Sequence, residues 1–468
     1  MVFSSNIFVF FFLPLVLAGY YLVFHKRSHR NLFLTAASLG FYAWGEPAFV
    51  LVMLFSIFMN WLFGLWVDAR QRQSRSTRPA VALMCVFNLG LLGVFKYLMF
   101  VMNNLNWAFG LHLPVPELAL PIGISFFTFQ AMSYVIDVSR GNGQVQRNFF
   151  NVCLYVSFFP QLIAGPIVRY QTVAAEIEGR RENATDFSEG VWRFLTGFAK
   201  KMLLANNLGL LVDQVFAFDR SELSVVMAWV AAAAYLMQVY YDFSGYSDMA
   251  IGLGRMFGFH FLENFDYPYL SKSVAGFWRR WHISLCTWFR DYVYFPLGGS
   301  RVKLPRLLFN MCVVWTLTGL WHGAEWTYVL WGFNFFLIQA IERLTGLGKW
   351  MEKHPVGHLY GMFMVVVLTV MIRCDSLSGA ALYYGTMFGF SGAPLVNALT
   401  GVFIREYGWF VVAAVIFGLP IARWFKDKTR MPDSAAMIVR TAFVLCVTVL
   451  SLSYAVMGGY NPFIYFNF

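Results

Sequence analysis

The chain has 468 residues, 35 Lys plus Arg against 24 Asp plus Glu, and a formal net charge of +11. Hydrophobic residues make up 59% and charged residues 13%, whereas soluble domains run at about 45–50% and about 25%. That balance excludes a water-soluble globular enzyme and a disordered chain, and the 19% aromatic share suits lipid-facing surfaces and interfacial belts.

Residues 6–24 are long, aromatic and preceded by no basic residue, so they read as a retained span rather than a cleaved signal peptide. Further spans are expected at 31–44, 48–67, 80–102, 121–138, 149–166, 190–211 and 225–241, then at 307–320, 327–341, 359–372, 403–422 and 437–456. At ~20 residues per full span this amounts to roughly 11–14 membrane segments. Pro121, Gly123, Pro160, Gly165 and Pro166 break the apolar pattern and point to broken or re-entrant helices, which are tolerated only inside protein or along a cavity. Residues 1–468 read as one integral-membrane domain, with a catalytic core at about 120–345.

The loops 26–30, 70–78, 140–147 and 423–430 are basic, while 103–117 and 458–468 carry no Lys or Arg. The positive-inside rule then places the basic loops in the cytoplasm and both termini in the periplasm. Charges scattered between apolar spans argue against nucleic acid as a partner. The six cysteines are well separated and read as buried thiols, with neither a disulfide framework nor a zinc motif.

The longest interruption of the apolar pattern is 260–306. Wound as one amphipathic helix, residues 277–294 place Trp278 and Trp281 on an aromatic stripe, His282 at its edge, and Arg279 and Arg290 together on one flank. Two readings follow: an interfacial helix with snorkelling arginines, or a cavity wall in which His282 faces the reactants and the arginines hold phosphates. A second histidine, His322, lies between apolar spans beside Trp321, with Gly319 and Gly323 four residues apart, so that another backbone can approach closely. It reads either as a structural histidine or as a neutral imidazole able to take a hydroxyl proton, with Glu325 as a possible orienting group. Asp242 and Ser244, in a Gly-containing segment, read as a capping turn or as a substrate-facing patch. Cys286 reads as a packing thiol and Lys96 as a snorkelling lysine.

FWRRWHISL followed by RDYVYFPLGGSR, together with LTGLWHGAEWTYVLWG, resembles the paired histidine motifs of the membrane-bound O-acyltransferase (MBOAT) family, in its bacterial branch that acetylates polysaccharides such as alginate and cellulose. The segments MVFSSN, LPIGISFFTFQAMSYVIDV, FFPQLIAGPIVRY, YDFSGYSDMAIGLGRMFGFHFLENFDYPYLS and NPFIYFNF extend the likeness over nearly the whole chain. The resemblance implies an all-α ring of helices around a central tunnel, and an acetyltransferase of the inner membrane. It implies acetyl-CoA as donor with no bound cofactor or metal, an exported exopolysaccharide as final acceptor, and periplasmic acetyltransferase- or esterase-like partners. His322 matches the family's catalytic base and His282 its second histidine, which would position the donor or donate to the carbonyl oxygen. Arg279, Arg290, Trp278, Trp281, Trp321, Asp242 and Ser244 are the expected substrate contacts. A compact C-terminal part leans toward a cellulose-type member. Three other readings remain: a transporter for an acetyl or lipid-linked carrier, a non-catalytic membrane scaffold of a polysaccharide synthase complex, and a D-alanyl or other acyl transferase acting on a cell-wall polymer.

Overall fold

The computed structural model describes residues 1–421, 424, 428 and 432–464, and among these every regular element is helical. Phe49–Arg72, Arg78–Phe109, Val225–Met256, Ala398–Phe417 and Asp433–Val456 are long and apolar enough to cross a bilayer. The protein is thus an all-α polytopic membrane protein. Asp433–Val456 buries only 11% of its apolar stretch and leaves the rest for lipid, whereas Val225–Met256 buries 61% and is an interior helix. The thiols follow the same division: Cys153 and Cys374 are buried, but Cys446 on Asp433–Val456 is exposed and Cys85, Cys286 and Cys312 are half-buried, so burial holds for only two of the six. The basic loop expected at 423–430 lies mostly outside the described residues, as do the last four of 458–468.

The chain packs as two compact units, Met1–Phe194 with Ser247–Leu262, and Leu195–Tyr246 with Glu263–Phe468. In the first unit the span expected at 149–166 is broken. Phe149–Ser157 stops at Phe158, whose ψ of 112° turns the chain before Phe159–Leu162. The reason is local: Pro160 has no N–H to continue the ladder, and Phe158 occupies an extended conformation compatible with the turn. The irregular backbone that follows is buried, a setting in which such backbone is tolerated at membrane depth. Lys96 does not snorkel. A π-helical turn over Gly93–Tyr97 directs it inward, where it is buried and donates to Ser125 Oγ at 3.3 Å.

One end of this unit is tied by Glu182. Its carboxylate accepts from Arg27 Nη1 at 2.5 Å and Nη2 at 3.0 Å, from Tyr20, and lies 3.3 Å from Arg30. Burial alone pushes this carboxyl up, but the Arg27 and Tyr20 hydrogen bonds outweigh it and hold it at about 2. Because the folded value lies below the ordinary ~4.3, the stabilisation is complete above that value and is lost as pH falls toward the folded one. The melting temperature should therefore fall between about pH 4.5 and pH 2.5, and Glu182→Gln should flatten that dependence while lowering stability at pH 7. A parallel dependence in both proteins would show that Glu182 contributes nothing to it.

In the second unit Leu304–His322 packs along Trp326–Leu344. The approach is close because neither side carries a Cβ where the backbones meet. A Cβ at Gly319 would lie 2.3 Å from the Tyr328 carbonyl oxygen, and one at Gly332 2.3 Å from that of Trp315. Asp242 and Ser244 do not form a capping turn, because Val225–Met256 runs through them unbroken. Gly245 serves packing instead: a Cβ there would meet the Gly197 carbonyl oxygen at 2.8 Å.

Candidate active site

The polar stretch after Val225–Met256 is organised by two short helices, Val274–Trp278 and Ile283–Phe289, the second widening into a π-turn over Arg290–Tyr294. The single helix expected over 277–294 does not form. His282 sits between the pieces with φ +45° and ψ 50°, a left-handed conformation that costs a non-glycine residue about 1–3 kcal/mol and clusters at functional sites. The break is held by the segment before it. Asp266 N–H donates to the Arg280 carbonyl at 2.9 Å, and Ile283 N–H to the Asn264 carbonyl at 3.0 Å. These backbone groups are satisfied across the break rather than along a helix.

Breaking the helix removes the common flank on which the continuous winding had placed Arg279 and Arg290. Arg279 is 64% exposed and pairs with Glu352, while Arg290 is 54% exposed and pairs with Asp291 at 2.7 Å. Trp278 and Trp281 point into the core. Trp281 stacks on Phe277 at 5.2 Å, and Trp278 packs edge-on against Trp315 at 4.9 Å and Phe335 at 5.0 Å.

His282 is completely buried, with Phe243 edge-on at 4.5 Å. Its Nδ1 lies 3.3 Å from Asn264 Oδ1, which also accepts from Ser284 N–H at 3.1 Å and the Ser284 hydroxyl at 2.9 Å. A backbone N–H only donates, so this Asn264 atom is the oxygen, and His282 Nδ1 must carry the proton. In the neutral ring Nε2 is then the acceptor. That tautomer is unsuited to the expected donation to a carbonyl oxygen and suited to receiving a hydrogen bond.

His322 ends the Leu304–His322 helix, where Gly323 leaves in an extended conformation and bonds back to the Gly319 carbonyl at 3.2 Å. It is 6% exposed. Its ring lies 6.5 Å from that of His282, 5.0 Å from Trp321 and 5.1 Å from Trp331. Two separate motifs therefore deliver two imidazoles to one buried place. Beside His322 is a cavity of about 30 Å³ walled by aromatic and aliphatic side chains, among them Trp278, Trp281, Trp331 and Phe335. Glu325 does not orient His322. The helix has ended between them, and Glu325 is exposed at the start of Trp326–Leu344.

Asp242 and Ser244 are buried in this same unit. Asp242 pairs with buried Lys201 at 2.7 Å and accepts from Ile464 N–H at 2.8 Å, and Lys201 also donates to the Pro462 carbonyl. Cys286 Sγ donates to the Trp281 carbonyl at 3.6 Å. Sequence reasoning missed Asn264, Trp331 and Glu342. Glu342 is buried and accepts from Val274 N–H at 2.7 Å and Ala275 N–H at 3.1 Å, capping the helix that carries Trp278.

The model of the membrane-bound O-acyltransferase family, MBOAT, matches residues 95–360. The chain is 38% identical to a probable alginate O-acetylase, AlgI, of Pseudomonas putida, with 100% of both chains covered. It is 34% identical to a peptidoglycan O-acetyltransferase of Helicobacter pylori, over 100% of this chain and 98% of that one. It is 25% identical to a teichoic acid D-alanyltransferase of Bacillus subtilis, over 56% of this chain and 69% of that one.

Proposed function

Because the chain belongs to the membrane-bound O-acyltransferase family and is an O-acyltransferase, we propose that it moves acetyl groups from cytoplasmic acetyl-CoA to an exported polysaccharide of the alginate type. The observation that carries this reading is the pair of buried imidazoles 6.5 Å apart beside an aromatic cavity. Full-length similarity to a probable alginate O-acetylase and to a peptidoglycan O-acetyltransferase supports a polysaccharide acceptor. It favours the alginate type over the cellulose type toward which the compact C-terminal part leaned.

In this mechanism His322 is the base. It takes the proton of the acceptor hydroxyl as that oxygen attacks the thioester carbonyl carbon. The carbonyl electron pair moves onto oxygen. When the C=O bond re-forms, the C–S bond breaks, and the CoA thiolate leaves with the proton held by His322. The carbonyl end of the Leu304–His322 helix carries partial negative charge, which stabilises the transient imidazolium. His282 is the accessory, its Nε2 receiving a hydrogen bond from a neighbouring hydroxyl of the acceptor and so orienting the oxygen that attacks. The acceptor is the polymer itself or a periplasmic acetyltransferase- or esterase-like partner. The protein sits in the inner membrane with both termini in the periplasm.

Arg279 and Arg290 hold the CoA phosphates. Both are exposed, and guanidinium matches phosphate geometry. Replacing each by alanine should raise the KM for acetyl-CoA about tenfold, the effect of losing a charge-assisted hydrogen bond of about 1.5 kcal/mol. Unchanged KM in the double variant would remove them from donor binding. The reading as a whole is tested with isotope-labelled acetyl-CoA, the protein in lipid vesicles and oligosaccharides of the alginate type. Label should pass to a hydroxyl ester. Label carried across the vesicle without ester formation would favour a transporter, and transfer only from an acylated carrier protein would favour a D-alanyl-type enzyme.

A further inference from the structure

Two of the side chains that wall the cavity beside His322 carry hydrogen-bond donors with no acceptor among the described residues. Trp278 and Trp331 both line it, and they are 6% and 5% exposed. Neither indole Nε1 has a hydrogen-bond partner among the described residues. Tryptophan nitrogen only donates, and an unsatisfied buried donor is costly where a phenylalanine would fill similar space at no such cost. Most buried polar groups in folded proteins are paired, so two orphaned donors at one cavity call for an explanation.

Their rings are also immobilised. Trp278 lies edge-on to Phe335 at 5.0 Å and 5.8 Å from Trp331, while Trp331 packs edge-on to Phe335 at 5.1 Å and to His322 at 5.1 Å. Rigid donors at a largely apolar cavity beside a proton acceptor are the elements of an oxyanion site, which works because the donors need no reorganisation as charge develops. The small volume of the enclosure, about 30 Å³, and its wall of Phe335, Val239 and Thr369 suit a short acyl group.

We propose that this cavity is the acyl pocket, that the indole N–H groups of Trp278 and Trp331 hold the acyl carbonyl oxygen as it becomes an oxyanion, and that Phe335 limits the acyl chain to two carbons. The proposal rests on the acetyl-transfer reading above. As the acceptor oxygen bonds to the carbonyl carbon, the C=O pair passes to the oxygen between the indoles. When C=O re-forms, the thiolate departs and both N–H groups return to a neutral carbonyl.

The test uses the full chain in lipid vesicles, acetyl-CoA and an oligosaccharide acceptor. Trp278→Phe and Trp331→Phe keep an aromatic ring and remove the donor. Each should lower kcat by about 10²-fold, as for loss of one oxyanion donor, with KM for acetyl-CoA changed less than about threefold. Phe335→Ala should raise the propionyl-to-acetyl ratio of kcat/KM by about tenfold, within the range for one methylene. In wild-type protein with 15N-labelled indoles, a non-cleavable ketone analogue of acetyl-CoA should shift the Trp278 and Trp331 N–H resonances, a readout independent of whether the variants fold. Wild-type kcat in the folded double Trp variant, with His322→Ala inactive, would overturn the oxyanion assignment and leave the base intact. Unshifted indole resonances at saturating analogue would overturn it as well. Full activity of His322→Ala would instead overturn the base assignment, and no ester formation by the wild-type protein would overturn the acetyl-transfer reading itself.

Discussion

Replacing His322 by alanine is expected to lower acetyl transfer by about 10²–10⁴-fold, the usual contribution of a positioned general base, with no loss of protein abundance. The ring lies at the end of a helix whose packing partner is already fixed by the close approach at Gly319 and Gly332, so removing it enlarges a cavity without loosening the helix pair. The vacated space adjoins an existing void, and added imidazole should restore part of the rate in proportion to its neutral form. His282→Ala should also be severe but is not expected to respond to imidazole in the same way. It removes a ring locked through Asn264, together with the residue at the left-handed break, so its effect combines positioning with backbone change. The measurement is acetyl ester formation by purified, folded variants at equal concentration. A near wild-type rate for His322→Ala would sink the base assignment and leave the attack on the thioester to another acceptor of the hydroxyl proton.

The class of fold was legible because composition alone decides it: few charges and many aromatics leave no soluble alternative. The two histidines were legible because each lies in a dense aromatic and glycine motif that an ordinary lipid-facing helix has no use for. The geometry between them was not. Residues 277–294 satisfy a helical period whether or not the helix is continuous, and the bonds that break it come from Asn264 and Asp266, outside that window. Lys96 failed for a similar reason, since a π-turn re-aims a side chain without altering the apolar pattern. Asp242 carried a usable signal: a carboxylate inside an apolar helix demands a partner, and Lys201 on a neighbouring apolar stretch supplies it. Trp331 lay within the second motif, but sixteen tryptophans in one membrane protein make any single ring look like belt or core until its N–H is seen to lack a partner.

Glu342 carries the second large effect, and it joins stability to the site. Its carboxylate accepts from the Val274 and Ala275 N–H groups, two of the donors that every helix start leaves unsatisfied. Ser273 supplies the third bond by accepting from Gly276 N–H at 2.9 Å. The capped helix carries Trp278, and Glu342 belongs to the helix that carries Trp331 and Phe335, so one carboxylate fixes both indoles in mutual register. Glu342→Ala orphans one buried and one half-buried N–H group, for an expected loss of roughly 1–4 kcal/mol at about 1–3 kcal/mol for the buried one. Glu342→Gln keeps one carbonyl oxygen and should lose about half of that. If the register matters for catalysis, the glutamine variant, folded and at full abundance, will show a lower kcat with little change in KM. Unfolding in detergent measures the first effect and steady-state kinetics the second. A glutamine variant with wild-type kcat but reduced stability would confine Glu342 to capping, and an alanine variant as stable as wild type would show that the helix start finds other acceptors.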